Sequence, residues 1–367
     1  MLGVDRRSIQ NFDWVLFGLA SILISCGIVN LMSASHAGDA TLLTSTVRRQ
    51  LMALGAGGIV IAVVVAIDYR HVERFALVIY AAIMLLLVAT LIIAPELRGA
   101  RAWLFSGRFQ PSELAKIGMV IALARWFHRN PPSELTHLRQ LGPPALIASV
   151  PVSLILLQKD MGVAVLTTLV ALTFAPLVRI RARSWAGVAV VAALGLVALW
   201  NFGLKDYQQQ RILDFVDPSR DPLSSGYQAM QSRIAVGSGG FFGKGWLDGT
   251  QTQLRFLPTQ HTDFAYSVLA EEWGFVGSVF VLGTYLAMLL WGLWIARNSR
   301  DGFGAMLAVG LVGTLFWPAV INVAMVLGLA PVIGVPLPLF SYGGSALVTS
   351  CLALGLLLSI SMRRYVF

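Results

Sequence analysis

Four short stretches set ionisable or conformationally special residues against long apolar runs. Acids and bases in that setting are expensive and face a bundle interior or a wet cavity, so each stretch is a candidate for chemistry. In Phe109-Gln110-Pro111-Ser112-Glu113-Leu114-Ala115-Lys116 the proline and serine suit a helix start, and Glu113 and Lys116 share one helix face. They could make a cap and an internal ion pair; alternatively, Lys116 and nearby Arg101 would attract an anionic group at an external mouth. In Gln158-Lys159-Asp160-Met161-Gly162 the acid sits on a tight turn between two apolar runs, as a helix N-cap or as a functional carboxylate. In His261-Thr262-Asp263 a carboxylate beside a histidine opens a run to Ala296 that would make about 50 Å of helix, well beyond a bilayer core of about 30 Å. Either that helix projects outward or its upper part lines a cavity, which also accommodates Glu271 and Glu272. Asp263 suits a general base at a cavity mouth, with capping as the alternative. The fourth stretch, Gly334 to Ser345, holds Pro336, Pro338, Ser341, Tyr342, Gly343 and Gly344. Helix breakers at membrane depth are tolerated where backbone is buried in protein or lines a cavity; a tight external hairpin is the other reading.

The elements that must position these residues are membrane helices. With 57% of residues hydrophobic, 12% charged and a mean hydropathy of +0.74, the chain cannot hide its apolar surface in a soluble core. The expected fold is an all-α polytopic membrane protein forming a single domain over residues 1–367. About ten transmembrane helices are expected: 14–33, 51–67, 75–94, 113–127, 143–157, 161–178, 186–204, 263–296, 303–327 and 342–361. The first apolar run has no small-residue cleavage site after it and is expected to stay. Lys and Arg concentrate on one side of this stack, with Arg6, Arg7, Arg70, Arg74, Arg179, Arg181, Arg297, Arg300, Arg363 and Arg364 among them, which predicts that both termini are cytoplasmic. The net charge of +9 therefore reports orientation, and no nucleic-acid partner is expected. The longest connection, 205–262, is expected to be a structured external loop, with a helix over Tyr227 to Val236 and a glycine-rich turn from Gly237 to Gly245. Cys26 and Cys351 lie inside apolar stretches and read as small core residues rather than a disulfide or metal pair. No glycine-rich phosphate loop followed by Lys-Ser or Lys-Thr and no helical His-Glu-x-x-His zinc motif occurs, which argues against soluble-nucleotide hydrolysis.

Six segments carry a resemblance: Phe109 to Lys116, Gln158 to Gly162, Gln231 to Gly249 with Gly243-Lys244-Gly245-Trp246-Leu247, Phe256 to Phe264, Leu269-Ala270-Glu271-Glu272, and Pro336 to Ser345. Together, and in this order, they resemble the SEDS family of shape, elongation, division and sporulation proteins, and its elongation branch more than its division branch. The resemblance implies a peptidoglycan glycosyltransferase of the bacterial cytoplasmic (inner) membrane. It would polymerise lipid II onto a nascent glycan strand during cell elongation, maintaining rod shape, and work with a class B penicillin-binding protein and the elongation machinery. Asp263 matches the acid regarded as catalytic there, and Glu113, Lys116 and Asp160 match positions treated as functionally important. Two departures, Lys159 for the usual proline and Thr259 for a common glutamate, put local loop shape in doubt rather than catalysis.

The chemistry implied is direct displacement. Asp263 would take the proton of the acceptor hydroxyl, and the lipid pyrophosphate would leave without a general acid once its charge is stabilised. Lys116, Arg101 and Arg211, or a divalent cation (Mg or Mn), would supply that stabilisation on the extracytoplasmic side. His261, Glu271, Glu272 and Ser341 are expected to support the site. A lipid II flippase is the main alternative and a scaffold for a partner enzyme a third. A transporter should carry polar residues through the midplane, whereas these acids cluster toward the external ends.

Overall fold

A computed structural model describes residues 11–36, 41–179 apart from Arg98, Ser106, Pro132 and 134–136, and 225–364 apart from Pro258, with scattered positions between 186 and 215. Ten helices are named here in chain order: α1 (Trp14–His36), α2 (Ser45–Ala66), α3 (Tyr69–Ile93), α4 (Pro111–Arg129), α5 (Gly142–Leu157), α6 (Met161–Leu172), α7 (Ser225–Ser238), α8 (Ala265–Arg297), α9 (Gly302–Val326) and α10 (Gly344–Met362). Among the described residues there is no strand, only two isolated bridges, Leu97 with Ala100 and Leu104 with Phe109. Apart from α7, which lies in the expected loop helix, these helices correspond to nine of the ten expected spans. The tenth, 186–204, is described only in part, over 186–190 and at scattered positions beyond, and the first part of the 205–262 loop lies largely outside the described residues.

Seven helices are long and apolar enough to cross a membrane: α1, α2, α3, α5 with its preceding turn, α8, α9 and α10. The chain is a multi-pass membrane protein. Helix α4 is not among the seven because Glu113, Lys116, Arg125 and Arg129 all lie within its 19 residues. It packs against α3 and α9, and 13 of its 19 residues are buried. Helix α2, by contrast, turns most of its side chains outward but fits α10 closely. A methyl on Gly57 would stand 2.6 Å from Cys351 Sγ, and one on Gly355 3.3 Å from the Ile61 backbone. Small residues let membrane helices approach in this way.

Helix starts follow local chemistry. Thr44 accepts from the Val47 amide, Asp68 from Arg70, Asp160 from Val163 and Asp301 from Gly304, each filling an orphan donor. Pro111 occupies the first turn of α4. The ends of the first and last helices meet at one end of the bundle, where Ser361 Oγ donates to Asp13 Oδ2 at 2.6 Å.

The long run beginning at Asp263 is not one straight helix. Gly274 has φ 63°, which breaks α8, and residues 240–245 dock into the break. Phe275 and Val276 donate their amides to Gly240 and Phe241 instead of to the preceding turn. The carbonyls of Glu271 and Glu272 accept from Lys244 and Gly245. Four bonds to the loop thus stand in for the helical bonds lost across the break. Phe275 to Arg297 alone makes about 35 Å of helix, enough to cross a bilayer core.

Candidate active site

The upper part of α8 folds back over the bundle rather than projecting outward. Asn30 of α1 donates to the Ala265 carbonyl at 2.9 Å, and Asn322 of α9 donates to the Asp263 carbonyl at 2.7 Å. Asn30 lies about 24 Å along α1 and Asn322 about 30 Å along α9, so Asp263 stands level with the end of the bundle opposite the one shared by the termini. The alternative of an outward projection is excluded.

The breaker segment after α9 is re-entrant, not an external hairpin. Leu337, Leu339 and Phe340 are buried, the Tyr285 hydroxyl donates to the Pro338 carbonyl, and a methyl on Gly27 of α1 would stand 2.5 Å from the Phe340 oxygen. Neutral amides fix its course. Gln50 donates to the Ser341 carbonyl at 3.1 Å and accepts from the Gly343 amide at 3.2 Å, while Asn322 donates to Val335 at 2.6 Å as well as to Asp263. Ser341 is a turn former: its hydroxyl accepts from the Leu337 amide at 3.0 Å. The Tyr342 amide donates to the His261 carbonyl at 3.0 Å, and the two rings lie 5.7 Å apart.

Asp263 is not the N-cap of α8; Phe264 holds that position, without a side-chain cap bond. The Asp263 carboxylate instead faces Gly334, where a methyl would come within 3.4 Å of Oδ2. The next residue back, Ile333, packs on Gly162 of α6 so closely that a methyl there would meet its side chain at 2.8 Å. Ile333 and Gly334 therefore join the Asp263 wall to the Asp160 wall.

On that second wall Lys116 is buried and held by both Glu113 oxygens, at 3.0 and 2.9 Å. Asp160 caps α6 through Oδ1 and receives Gln110 Nε2 on Oδ2 at 2.6 Å. Burial pushes the Asp160 carboxyl above the usual range and the Glu113 charge adds to this, while the Val163 amide, Gln110 and Lys116 pull the other way. Gln110 in turn ties the wall to α10, its amide donating to Ser345 Oγ at 3.1 Å. Both the cap reading of Asp160 and the ion-pair reading of Glu113 with Lys116 hold, with all four polar side chains at one place. Arg101 lies on the exposed rim, 3.8 Å from Glu96, which also lies 3.6 Å from Lys159. Arg211 lies outside the described residues.

Glu271 and Glu272 hold the loop. Glu271 is buried and accepts from Lys244 Nζ at 2.7 Å, the amides of Gln251 and Thr252 at 2.8 and 3.1 Å, and the Thr252 hydroxyl at 2.9 Å. Glu272 receives the Ser33 hydroxyl of α1. Among the described residues no three His, Cys, Asp or Glu side chains stand together in a way that could hold a metal. This donor set does not make a protein cage for a divalent cation.

The sequence model of the FtsW/RodA/SpoVE family of cell cycle proteins matches residues 13–366. The chain belongs to this family. Within it, the peptidoglycan glycosyltransferase MrdB of Escherichia coli (strain K12) is 44% identical over 317 residues, 84% of each chain. The peptidoglycan glycosyltransferase RodA of Treponema pallidum (strain Nichols) is 32% identical over 98% of this chain and 99% of its own. Among solved structures, a chain of a peptidoglycan synthase complex that coordinates polymerization and crosslinking superposes with a TM-score of 0.83, at 34% identity over 97% of this chain and 99% of that one. The rod shape determining protein RodA of Thermus thermophilus superposes at 0.71, with 31% identity over 96% and 98%. These FtsW/RodA/SpoVE relatives match nearly the whole bundle, both walls included. Asn30, Gln50, Gln110 and Asn322, the amides that position the family's helices here, were not singled out from the sequence. Their signal was present, since an amide in an apolar run needs a partner as an acid does.

Proposed function

We propose that the chain is an inverting peptidoglycan glycosyltransferase of the elongation type. It polymerises lipid II into glycan strands with a class B penicillin-binding protein on the extracytoplasmic face of the bacterial cytoplasmic membrane. The names and near full-length likeness of its relatives support the activity. The bias of Lys and Arg toward the end shared by the termini supports the orientation.

The observation that carries the mechanism is the Asp263 carboxylate facing Gly334, with its own backbone clamped by Asn322. Asp263 accepts the proton of the acceptor hydroxyl as that oxygen attacks the anomeric carbon of the donor sugar. The bond from that carbon to the phosphate oxygen breaks, and its electron pair leaves with the lipid pyrophosphate. Attack from the opposite face turns an α-linked donor into a β-linked product. Arg101 and Lys159 on the rim, with Lys116 beneath, lower the cost of the departing charge. Glu113 holds Lys116 in place inside the bundle, and Gln110 orients Asp160 beside it.

Labelled lipid II is offered to the reconstituted chain with its penicillin-binding partner, comparing wild type with folded Asp263→Ala and Asp263→Asn. Glycan chains from wild type and none from either variant are expected. Polymerisation by the variants at the wild-type rate overturns the base assignment and moves the search to Glu113 and Asp160. A wild type that moves lipid II across vesicles without polymerising it overturns the enzyme reading.

A further inference from the structure

Asp263 and the residue its carboxylate faces belong to different parts of the chain. Asp263 stands just before α8, whereas Gly334 lies in the re-entrant segment between α9 and α10. Gly334 has φ 80°, a left-handed conformation outside any helix, so its place depends on what ties down its neighbours. The gap is narrow all the same, since a methyl on Gly334 would stand 3.4 Å from Asp263 Oδ2. An acceptor hydroxyl gives up its proton only within about 2.6–3.2 Å of a base, so the width of this gap bears on whether the two can meet.

One buried side chain ties both parts together. Asn322, fully buried in the last turns of α9, donates from Nδ2 to the Asp263 carbonyl at 2.7 Å and to the Val335 carbonyl at 2.6 Å. A carboxamide has two N–H donors, and here both are committed. One fixes the backbone of the base itself; the other fixes the residue next to Gly334. Of the three amides that grip this end of the bundle, Asn30 reaches Ala265 and Gln50 reaches Ser341 and Gly343, but neither bonds to both parts. The anchor is firm, because most residues of α9 are buried and Asp301 caps its far end.

We infer, on the reading of Asp263 as the base, that Asn322 is a positioning residue of the reaction: its carboxamide sets the separation between the Asp263 carboxylate and Gly334, and so where the acceptor hydroxyl meets the base. Being fully buried, Asn322 acts through Asp263 and not on the substrate. Loss of both donors lets the two parts move against each other, and a misplacement of about 1 Å between reacting groups costs about 10²-fold in rate. An amide that only held the fold together would cost stability and leave folded molecules at full rate.

The test measures initial rates of polymerisation of labelled lipid II by the full chain, reconstituted with its penicillin-binding partner. Wild type is compared with Asn322→Leu, Asn322→Ser, Asp301→Ala and Asp263→Asn. Leu keeps the approximate volume of Asn without either donor; Ser is smaller, keeps one donor and covers the case in which the Leu variant does not fold. Asp301→Ala weakens the opposite end of the same helix and controls for lost stability. Rates are referred to folded, monodisperse protein below the lowest melting midpoint. The kcat of Asn322→Leu is expected to fall about 10–100-fold with KM within about twofold of wild type, Asn322→Ser to lie between, and Asp301→Ala to keep both values. Wild-type kcat in the Asn322 variant that folds overturns the inference, and with an inactive Asp263→Asn it leaves the base assignment standing. An equal fall in Asp301→Ala overturns it as a stability effect, a raised KM at unchanged kcat places Asn322 in substrate binding instead, and failure of both Asn322 variants to fold assigns Asn322 to the architecture alone. Polymerisation by Asp263→Asn at the wild-type rate overturns the base assignment and the role of Asn322 with it.

Discussion

At the end of the bundle shared by the termini, carboxylates join one helix to another; around Asp263, at the opposite end, side-chain amides do that joining. Asp13 caps α1 and takes Trp291 Nε1 at 2.9 Å and the Ser361 hydroxyl, binding the first helix to α8 and α10. Asp301 caps α9 at 2.7 Å and accepts the Tyr69 hydroxyl at 2.6 Å, with Arg70 at 3.9 Å. Asp68 caps α3 and faces Arg363 at 3.8 Å. Around Asp263 the same tasks fall to Asn30, Gln50 and Asn322, which grip backbone on several helices. Neutral amides can clamp a wall without competing for protons or adding charge, so the backbone of Asp263 is held without its carboxylate serving as a helix cap. An acid that caps one helix and ties another is architectural; an acid whose backbone is held for it is a candidate catalyst.

The sharpest break of this comparison exchanges the two kinds of acid. Asp263→Asn is expected to lower polymerisation by about 10²–10⁴-fold, the range of a general base, with the melting midpoint of the detergent-solubilised protein unchanged. A comparable loss of stability would place Asp263 with the architectural acids. Glu271 tests a holding acid at the Asp263 end. Glu271→Ala leaves half-buried Lys244 and two backbone donors without their acceptor and should cost about 2–5 kcal/mol, read as a large drop in midpoint and protease sensitivity at residues 244–252. Asp301→Ala, at the other end, removes one cap and the partner of Tyr69. It should cost about 1–3 kcal/mol while folded molecules polymerise at the wild-type rate.

Much of this was legible in the sequence because hydropathy is a local property. Nine of the ten expected apolar runs correspond to helices among the described residues, the Tyr227 to Val236 pattern lies within α7, and Asp160 caps the helix it precedes. What the pattern could not separate was burial against lipid from burial against protein, so α4 read as an ordinary span although it lies inside the bundle. The break in α8 was hidden because a glycine inside an apolar run is usually tolerated. Only the loop residues 240–245, brought in from elsewhere in the chain, make the left-handed conformation of Gly274 sustainable. Ser341 was chosen with its motif as a site residue and proves to close a turn, since a motif does not say which members face the ligand. Cys351 is a buried core residue as read, packed against Gly57, while Cys26 is half-buried.

The smallest expected effect concerns Asp160, which both caps and presents. Because burial raises its carboxyl above the usual range, the folded protein keeps a proton there that the unfolded chain has already released. The stabilising contribution of that proton is fully present below the ordinary carboxylate pKa and is lost as pH rises through the folded-state value. Asp160→Asn carries no such proton and can keep both bonds, its carbonyl accepting from Val163 while the Gln110 amide turns to accept from the new NH₂ group. The midpoints of variant and wild type should therefore nearly coincide near pH 4 and separate as pH rises toward about 8, the variant becoming the more stable. A separation of the opposite sign would mean that the ionised carboxylate is the form the fold prefers, and Asp160 would then join the architectural acids of the other end.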